Sequence, residues 1–149
     1  MALCTRNTVE IRECEYFSLL NALKFDLVNS KSQKLRTFLL LYRKQNSNIS
    51  QYVDCLKYVL NSYTIDMILG DFNINYFNDN QVKPLKSLME SLNYTRQIVT
   101  KPTFISSRSL LDHVYVSPTV FKIIENSVVD VYYSDHDAIK ISLQYCREY

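Results

Sequence analysis

"MILGDFNIN", residues 67–75, contains Gly70, the single glycine of a chain of 149 residues, set between an apolar run and an acid. The segment leading into it, "TIDMIL" (64–69), is short, β-rich and apolar, and reads as a buried strand. A strand that ends in Gly70 and runs on into Asp71 and Asn73 presents a carboxylate and an amide at its carboxyl end. Open α/β sheets bind their ligands there. Glycine at such an exit permits positive φ, or lets another group approach the backbone closely. A plain Gly-Asp turn is the competing reading of these few residues.

Upstream, "TVEIREC" (8–14) and "ALKFDLV" (22–28) alternate as half-buried strands do. The polar "NSKSQK" (29–34) before "RTFLLLY" (36–42) reads as a hairpin loop. Its basic overlap "KSQKLR" (31–36) is a solvated turn, with phosphate contact as the alternative. Thr37 to Tyr42 is apolar and partly aromatic, which suits a strand buried on both faces. In "ISQYVDCLKYVLNSY" (49–63), apolar residues recur at i, i+3, i+4 and i+7, a helix capped by Asn48 or Ser50. Downstream of Gly70, a second helix covers "VKPLKSLMESL" (82–92), with Pro84 in its first turn. Strands follow at "TRQIV" (95–99), "LDHVYV" (111–116), "NSVVDVYY" (126–133) and "AIKISLQY" (138–145). The order is that of a mixed α/β domain with much antiparallel pairing, spanning residues 1–149 as one unit.

Composition narrows the function. Hydrophobic residues make up 47% and charged residues 21%, which is globular and argues against disorder. The longest apolar run, Phe38 to Tyr42, falls far short of the roughly 20 residues that span a bilayer. The first residues, "MALCTRNTVE", lack a signal-peptide stretch, so the expectation is a soluble, intracellular protein with no membrane partner. Cys4, Cys14, Cys55 and Cys146 form no CxxC pair and no Cys/His cluster, which argues for free thiols rather than zinc or disulfides. A net charge of +2 permits an anionic partner without demanding one.

Both histidines of the chain directly follow an aspartate: Asp112-His113 in "SLLDHVYVS" and Asp135-His136 in "YYSDHDAI". His136 sits among Ser134, Asp135 and Asp137, between two expected strands, where catalytic residues collect on a rigid scaffold. An imidazole whose tautomer is held by a carboxylate serves as general acid or base near neutral pH. His113, inside an alternating strand, reads instead as a packed or surface residue.

"ILGDFNIN", "SLLDHVYVS" and "YSDHDAI", in that order, resemble the endonuclease/exonuclease/phosphatase superfamily. The branch most like it is the apurinic-type endonuclease domain of non-LTR retrotransposons. "FLLLYRKQNSNISQYVDCLKYVL" is similar to that branch's strand ending in Tyr-Arg with its loop and helix, and "KPTFISSRSLLDHVYVSP" to its "PT…S.LD.V..S" segment. The likeness runs from about residue 36 to residue 145. It implies a DNase I-like fold: a two-sheet β-sandwich flanked by helices. It also implies a phosphodiesterase dependent on Mg²⁺, with Mn²⁺ as a possible substitute, and DNA as substrate. Asp71 would orient or deprotonate the attacking water, and Asn73 would bond the scissile phosphate or the metal's surroundings. Tyr42 would touch the phosphate, Asp135 would help Asp71 hold the metal, and His136 would stabilise charge with Asp112 holding its ring. Arg43, Lys44, Lys101 and Arg108 would contact nucleic acid, and the parent polyprotein would carry a reverse transcriptase.

Complete members open with a strand carrying Asn or Asp, then a helix, then a strand ending in a metal-binding Glu. "LCTRNTVEI" resembles the strand after that Glu, and Glu10, Glu13 and Glu15 do not take its role. The resemblance thus implies a chain that enters the fold partway through, without its N-terminal strands. Two readings follow: a retroelement-derived DNA endonuclease domain, or a catalytically inactive remnant of it. Another phosphodiesterase or phosphatase of the superfamily is a third.

Overall fold

The computed structural model describes residues 9–95, 99–119 and 121–145. Nine elements follow in order: β1 (Val9–Phe17), β2 (Ala22–Asn29), β3 (Lys34–Tyr42), α1 (Ile49–Ser62), β4 (Met67–Asp71), α2 (Asp79–Ser91), β5 (Asp112–Val116), β6 (Phe121–Val129) and β7 (Ala138–Tyr145). Strands β1 to β5 form one sheet in chain order, and β6 and β7 form a second. All pairings are antiparallel except β3 with β4, which α1 joins as a crossover.

Strand side chains alternate between faces, and this sorts the core. On β4 and β5, Ile68 and Tyr115 enter a cluster with Leu39 and Leu41 of β3, covered by both helices. Their neighbours Met67, Leu69, Val114 and Val116 point the other way, against Ile123, Ile139 and Ile141 of the second sheet. The large sheet therefore lies between a helical layer and the two-stranded sheet. The expectation that β3 is buried on both faces holds fully on one: Thr37, Leu39 and Leu41 are buried, while Phe38 and Leu40 are half-buried.

The helices form where the periodicity placed them, with different starts. Asn48, not Ser50, caps α1, its side chain accepting from Gln51 N. Asn78 caps α2 in the same way, so that helix begins at Asp79. Pro84 consequently lies in the helix interior rather than its first turn, where it forgoes a main-chain bond to the carbonyl of Asn80. The strand expected over 64–69 begins only at Met67 and runs on to Asp71. Residues 65 and 66 are engaged elsewhere: the Ile65 carbonyl accepts from Tyr94 Oη at 2.7 Å and the Asp66 carboxylate from Thr37 N at 2.8 Å. Of the strand expected at 95–99, residues 96–98 lie outside the described residues, and Thr95 and Val99 are not in a strand. β6 ends at Val129, which leaves Asp130 to Tyr133 to the loop before β7. No described helix is long and apolar enough to cross a membrane. Cys14 and Cys55 are free thiols, and Cys4 and Cys146 lie outside the described residues.

Gly70 meets both needs of glycine. Its φ is +144°, and a Cβ there would lie 1.9 Å from the carbonyl oxygen of Leu41 on the neighbouring strand.

Candidate active site

The parallel register of β3 and β4 sets Tyr42 beside Asp71, and the antiparallel register of β4 and β5 sets Asp71 opposite Asp112. By period two, all three share the parity of the residues that face the second sheet. One row thus forms at the carboxyl rim of the large sheet. The chain leaves β4 by continuing the alternation: Phe72 and Ile74 are fully buried as plugs, while Asp71, Asn73 and Asn75 stay partly exposed.

Into this row the loop before β7 brings His136. Its Nδ1 donates to Asp112 Oδ2 at 2.7 Å, which fixes the tautomer and leaves Nε2 for chemistry. The loop is tied down at four points. His136 N donates to Ser134 Oγ at 3.1 Å and Val131 N to Asp137 Oδ1 at 3.1 Å. Asp137 N donates to Thr103 O at 2.8 Å and Ile105 N to Asp135 O at 3.1 Å. The Phe104 ring lies 5.0 Å from the imidazole, and Thr103 Oγ1 accepts from Leu111 N at 3.3 Å and from Asp112 N at 3.2 Å.

Electrostatics follow from this crowding. Burial opposes charge on His136, but the hydrogen bond and charge of Asp112, then the charges of Asp71 and Asp135, outweigh it, and its pKa rises above 6.5. Burial raises the Asp71 pKa above 3.8. The Asp112 carboxylate opposite adds to the rise, and hydrogen bonds from Asn73 and the charge of His136 temper it. Asp71 accepts from Asn73 twice, Oδ1 from the backbone N at 2.9 Å and Oδ2 from Nδ2 at 3.2 Å. Asn73 adopts φ +48°, and its Nδ2 also donates to Arg43 O at 2.7 Å.

The remaining expected site residues divide. Tyr42 is 48% exposed on the rim, and Lys44, Lys101 and Arg108 are exposed. Arg43 is not available as a nucleic-acid contact: it is 3% exposed. Its guanidinium donates to the carbonyls of Asn73, at 2.9 Å, and of Ser47. The fold uses it to clamp the Asp71–Asn73 turn to the end of β3. His113 is fully buried, with Nε2 donating to Ile74 O at 2.9 Å and Nδ1 accepting from Tyr115 Oη at 3.2 Å. Burial pulls its pKa down to about 4. Asp137, already visible in the cluster around His136, positions the site together with Thr103 and Phe104, for which the "KPTF" segment is the only sequence signal.

Asp71, Asn73 and Asp135 are oxygen donors of the kind Mg²⁺ takes. Among the described residues, however, no three His, Cys, Asp or Glu side chains converge in a way that could hold a metal, and both Asp71 oxygens already accept from Asn73. Glu10 pairs with Arg12, and Glu15 accepts from Tyr63 Oη at 2.8 Å on β1, the opposite edge strand from β5. The residues present do not make a complete metal site by themselves.

No protein-family model and no curated protein sequence matches the chain. Solved structures do. The endonuclease domain of TRAS1, a telomere-specific non-LTR retrotransposon, superposes with a TM-score of 0.67 at 16% identity, over 87% of this chain and 65% of that domain. An endonuclease/exonuclease/phosphatase family protein from Bacteroides thetaiotaomicron gives 0.70 at 13% identity, over 95% of this chain and 67% of the other. TDP2 from D. rerio, solved with a single-strand DNA product, gives 0.63 at 18% identity, over 92% and 69%. This chain therefore spans about two thirds of the length of these structures and shares their mixed α/β, DNase I-like fold.

Proposed function

We propose that the rim is a phosphodiester site of a DNA endonuclease-type domain derived from a retroelement. The observation that carries this reading is the 2.7 Å bond between His136 Nδ1 and Asp112 Oδ2, with Asp71 facing Asp112 across the ladder. Asp71, with its raised pKa, takes a proton from the attacking water as the new O–P bond forms. Protonated His136, held by Asp112, meets the charge that grows on the phosphoryl oxygens as the leaving P–O bond breaks. Tyr42 contacts the same phosphate through its hydroxyl. The TRAS1 endonuclease domain and the DNA-bound TDP2 structure support DNA as the substrate class. A divalent ion would supply further charge neutralisation, with Asp71 and Asp135 as the carboxylates nearest to that role. The parent polyprotein, on this reading, also carries a reverse transcriptase.

The incomplete metal donor set favours a second reading, a folded but catalytically inert member of the same fold. Nicking of supercoiled plasmid with Mg²⁺ or Mn²⁺ decides between them. The expected result is nicking by the wild-type chain that falls about 100-fold or more in both Asp71→Ala and His136→Ala. Nicking that survives both substitutions, or a wild-type chain that never nicks, overturns the first reading.

A further inference from the structure

We propose that the turn just before His136 is a stacking platform on which Tyr132 and Tyr133 hold an unpaired nucleobase of the strand that meets Asp71 and His136. The inference rests on the phosphodiester reading above and adds the class of group recognised beside the reacting phosphate. Ser134 N donates to Val131 O at 3.4 Å, which makes Tyr132 and Tyr133 the two corner residues of a tight turn. They are 97% and 79% exposed, and their rings meet edge to face with centroids 5.1 Å apart. A ring left in water adds nothing to the core. Turn corners favour Gly, Pro, Asn, Asp and Ser for reasons of backbone conformation that tyrosine does not share. Neither packing nor turn chemistry therefore accounts for two aromatic rings here, whereas a nucleobase offers them a flat partner.

The surroundings set both the reach and the chemistry. The turn is anchored: Val131 N donates to Asp137 Oδ1 at 3.1 Å, and Ile105 N to Asp135 O at 3.1 Å. Tyr133 is three steps of chain from His136, so their Cα atoms lie within about 11 Å of each other. Charge decides which part of a nucleotide the turn addresses. Its acids are Asp130, Asp135 and Asp137, and it carries neither lysine nor arginine. A phosphate is repelled there, and an uncharged ring face is what the turn can bind. The cation stands next door. Arg108 N donates to Ile105 O at 3.4 Å, closing a second turn. The Ile105–Asp135 bond and the bridge between Phe104 and His136 hold that turn against the first. Arg108 is exposed on it and takes the phosphate of the stacked nucleotide, while Ile105, 52% exposed, extends the apolar surface. A duplex hides its base faces, so the platform suits single-stranded or unpaired nucleic acid.

The test is binding, by fluorescence anisotropy, of two labelled single strands of equal length, one of thymidines and one of abasic residues. EDTA is present so that no hydrolysis intervenes. Wild type is expected to bind the thymidine strand more tightly than the base-less one. Replacing both tyrosines by alanine should weaken thymidine-strand binding about tenfold or more and leave the base-less strand unaffected, with the melting temperature unchanged because both rings are exposed. Replacing both by phenylalanine should restore binding, since the ring and not the hydroxyl makes the contact. Arg108→Ala should weaken both strands alike and lower the salt slope by about one. Wild type that binds the two strands equally, or not at all, overturns the inference. So does thymidine-strand binding that survives the double alanine substitution, which would leave the tyrosines to a protein partner. Failure of the catalytic reading shows separately, as nicking indifferent to Asp71→Ala and His136→Ala.

Discussion

Asp112-His113 and Asp135-His136 are the same dipeptide in two environments, and their histidines meet opposite fates. His113 turns to the helical face of β5, where it stacks on Phe72 at 4.7 Å, is fully buried and stays neutral with a pKa near 4. His136 lies on the rim among three carboxylates and binds a proton more readily than free imidazole. Asp112 does not serve the histidine beside it. Strand alternation sends the two residues to opposite faces, and the partner of Asp112 is the histidine 24 residues on. Burial without charge makes a histidine a packing residue, and partial burial among carboxylates favours its protonated form.

The contrast breaks most completely at Gly70, which pairs with His113 on one side and Leu41 on the other. Gly70→Ala drives a Cβ into a backbone carbonyl, and a loss of about 4 kcal/mol or outright failure to fold is expected in urea denaturation. His136→Ala should leave stability nearly intact while nicking falls about 100-fold; equal losses in both would make His136 merely structural. His113→Leu should do the reverse. It leaves the Ile74 carbonyl and the Tyr115 hydroxyl without their ring partner, a loss of about 3 kcal/mol, with activity per folded molecule retained.

Titration sharpens the comparison. In Asp112→Asn, NMR should find the His136 pKa lowered while that of His113 stays near 4. Parallel shifts in both would dissolve the distinction. The two also shape stability in opposite windows. His136, with a folded pKa raised above 6.5, stabilises fully below 6.5 and loses that contribution as pH climbs through its folded value. His113, with a folded pKa lowered to about 4, weakens the fold as pH falls from 6.5, because the unfolded chain then takes up a proton the native one refuses. The smallest effect is expected at Asp71. Its pKa is raised, so its charge is a burden on the fold, and Asp71→Asn should raise the unfolding midpoint slightly near neutral pH while lowering activity.

Much of this arrangement is readable in the chain itself. The 3.6-residue spacing of Tyr52, Val53, Leu56, Val59 and Leu60 marks α1, and the apolar runs at Phe38 to Leu41 and Met67 to Leu69 mark the central strands. The position of Gly70 before Asp71 marks the strand exit. These are local signals, since periodicity and backbone chemistry act over a few residues. Element ends were less legible: Asn78 rather than a residue near Val82 starts α2, because a cap depends on one side chain reaching a main-chain N–H. The Arg43 expectation failed for a related reason. A charged residue beside a tyrosine on the rim looks like a second contact until three-dimensional packing turns its guanidinium inward onto carbonyls.

Residue order alone thus marked both helices and the central strands, and the acids and imidazoles eligible for chemistry. Only the tertiary structure decided that Tyr42, Asp71 and Asp112 stand in one row and that His136 closes on Asp112 while His113 does not. Register between strands and the packing of one sheet on another are long-range choices, made by burial of apolar faces. No short stretch of sequence carries them.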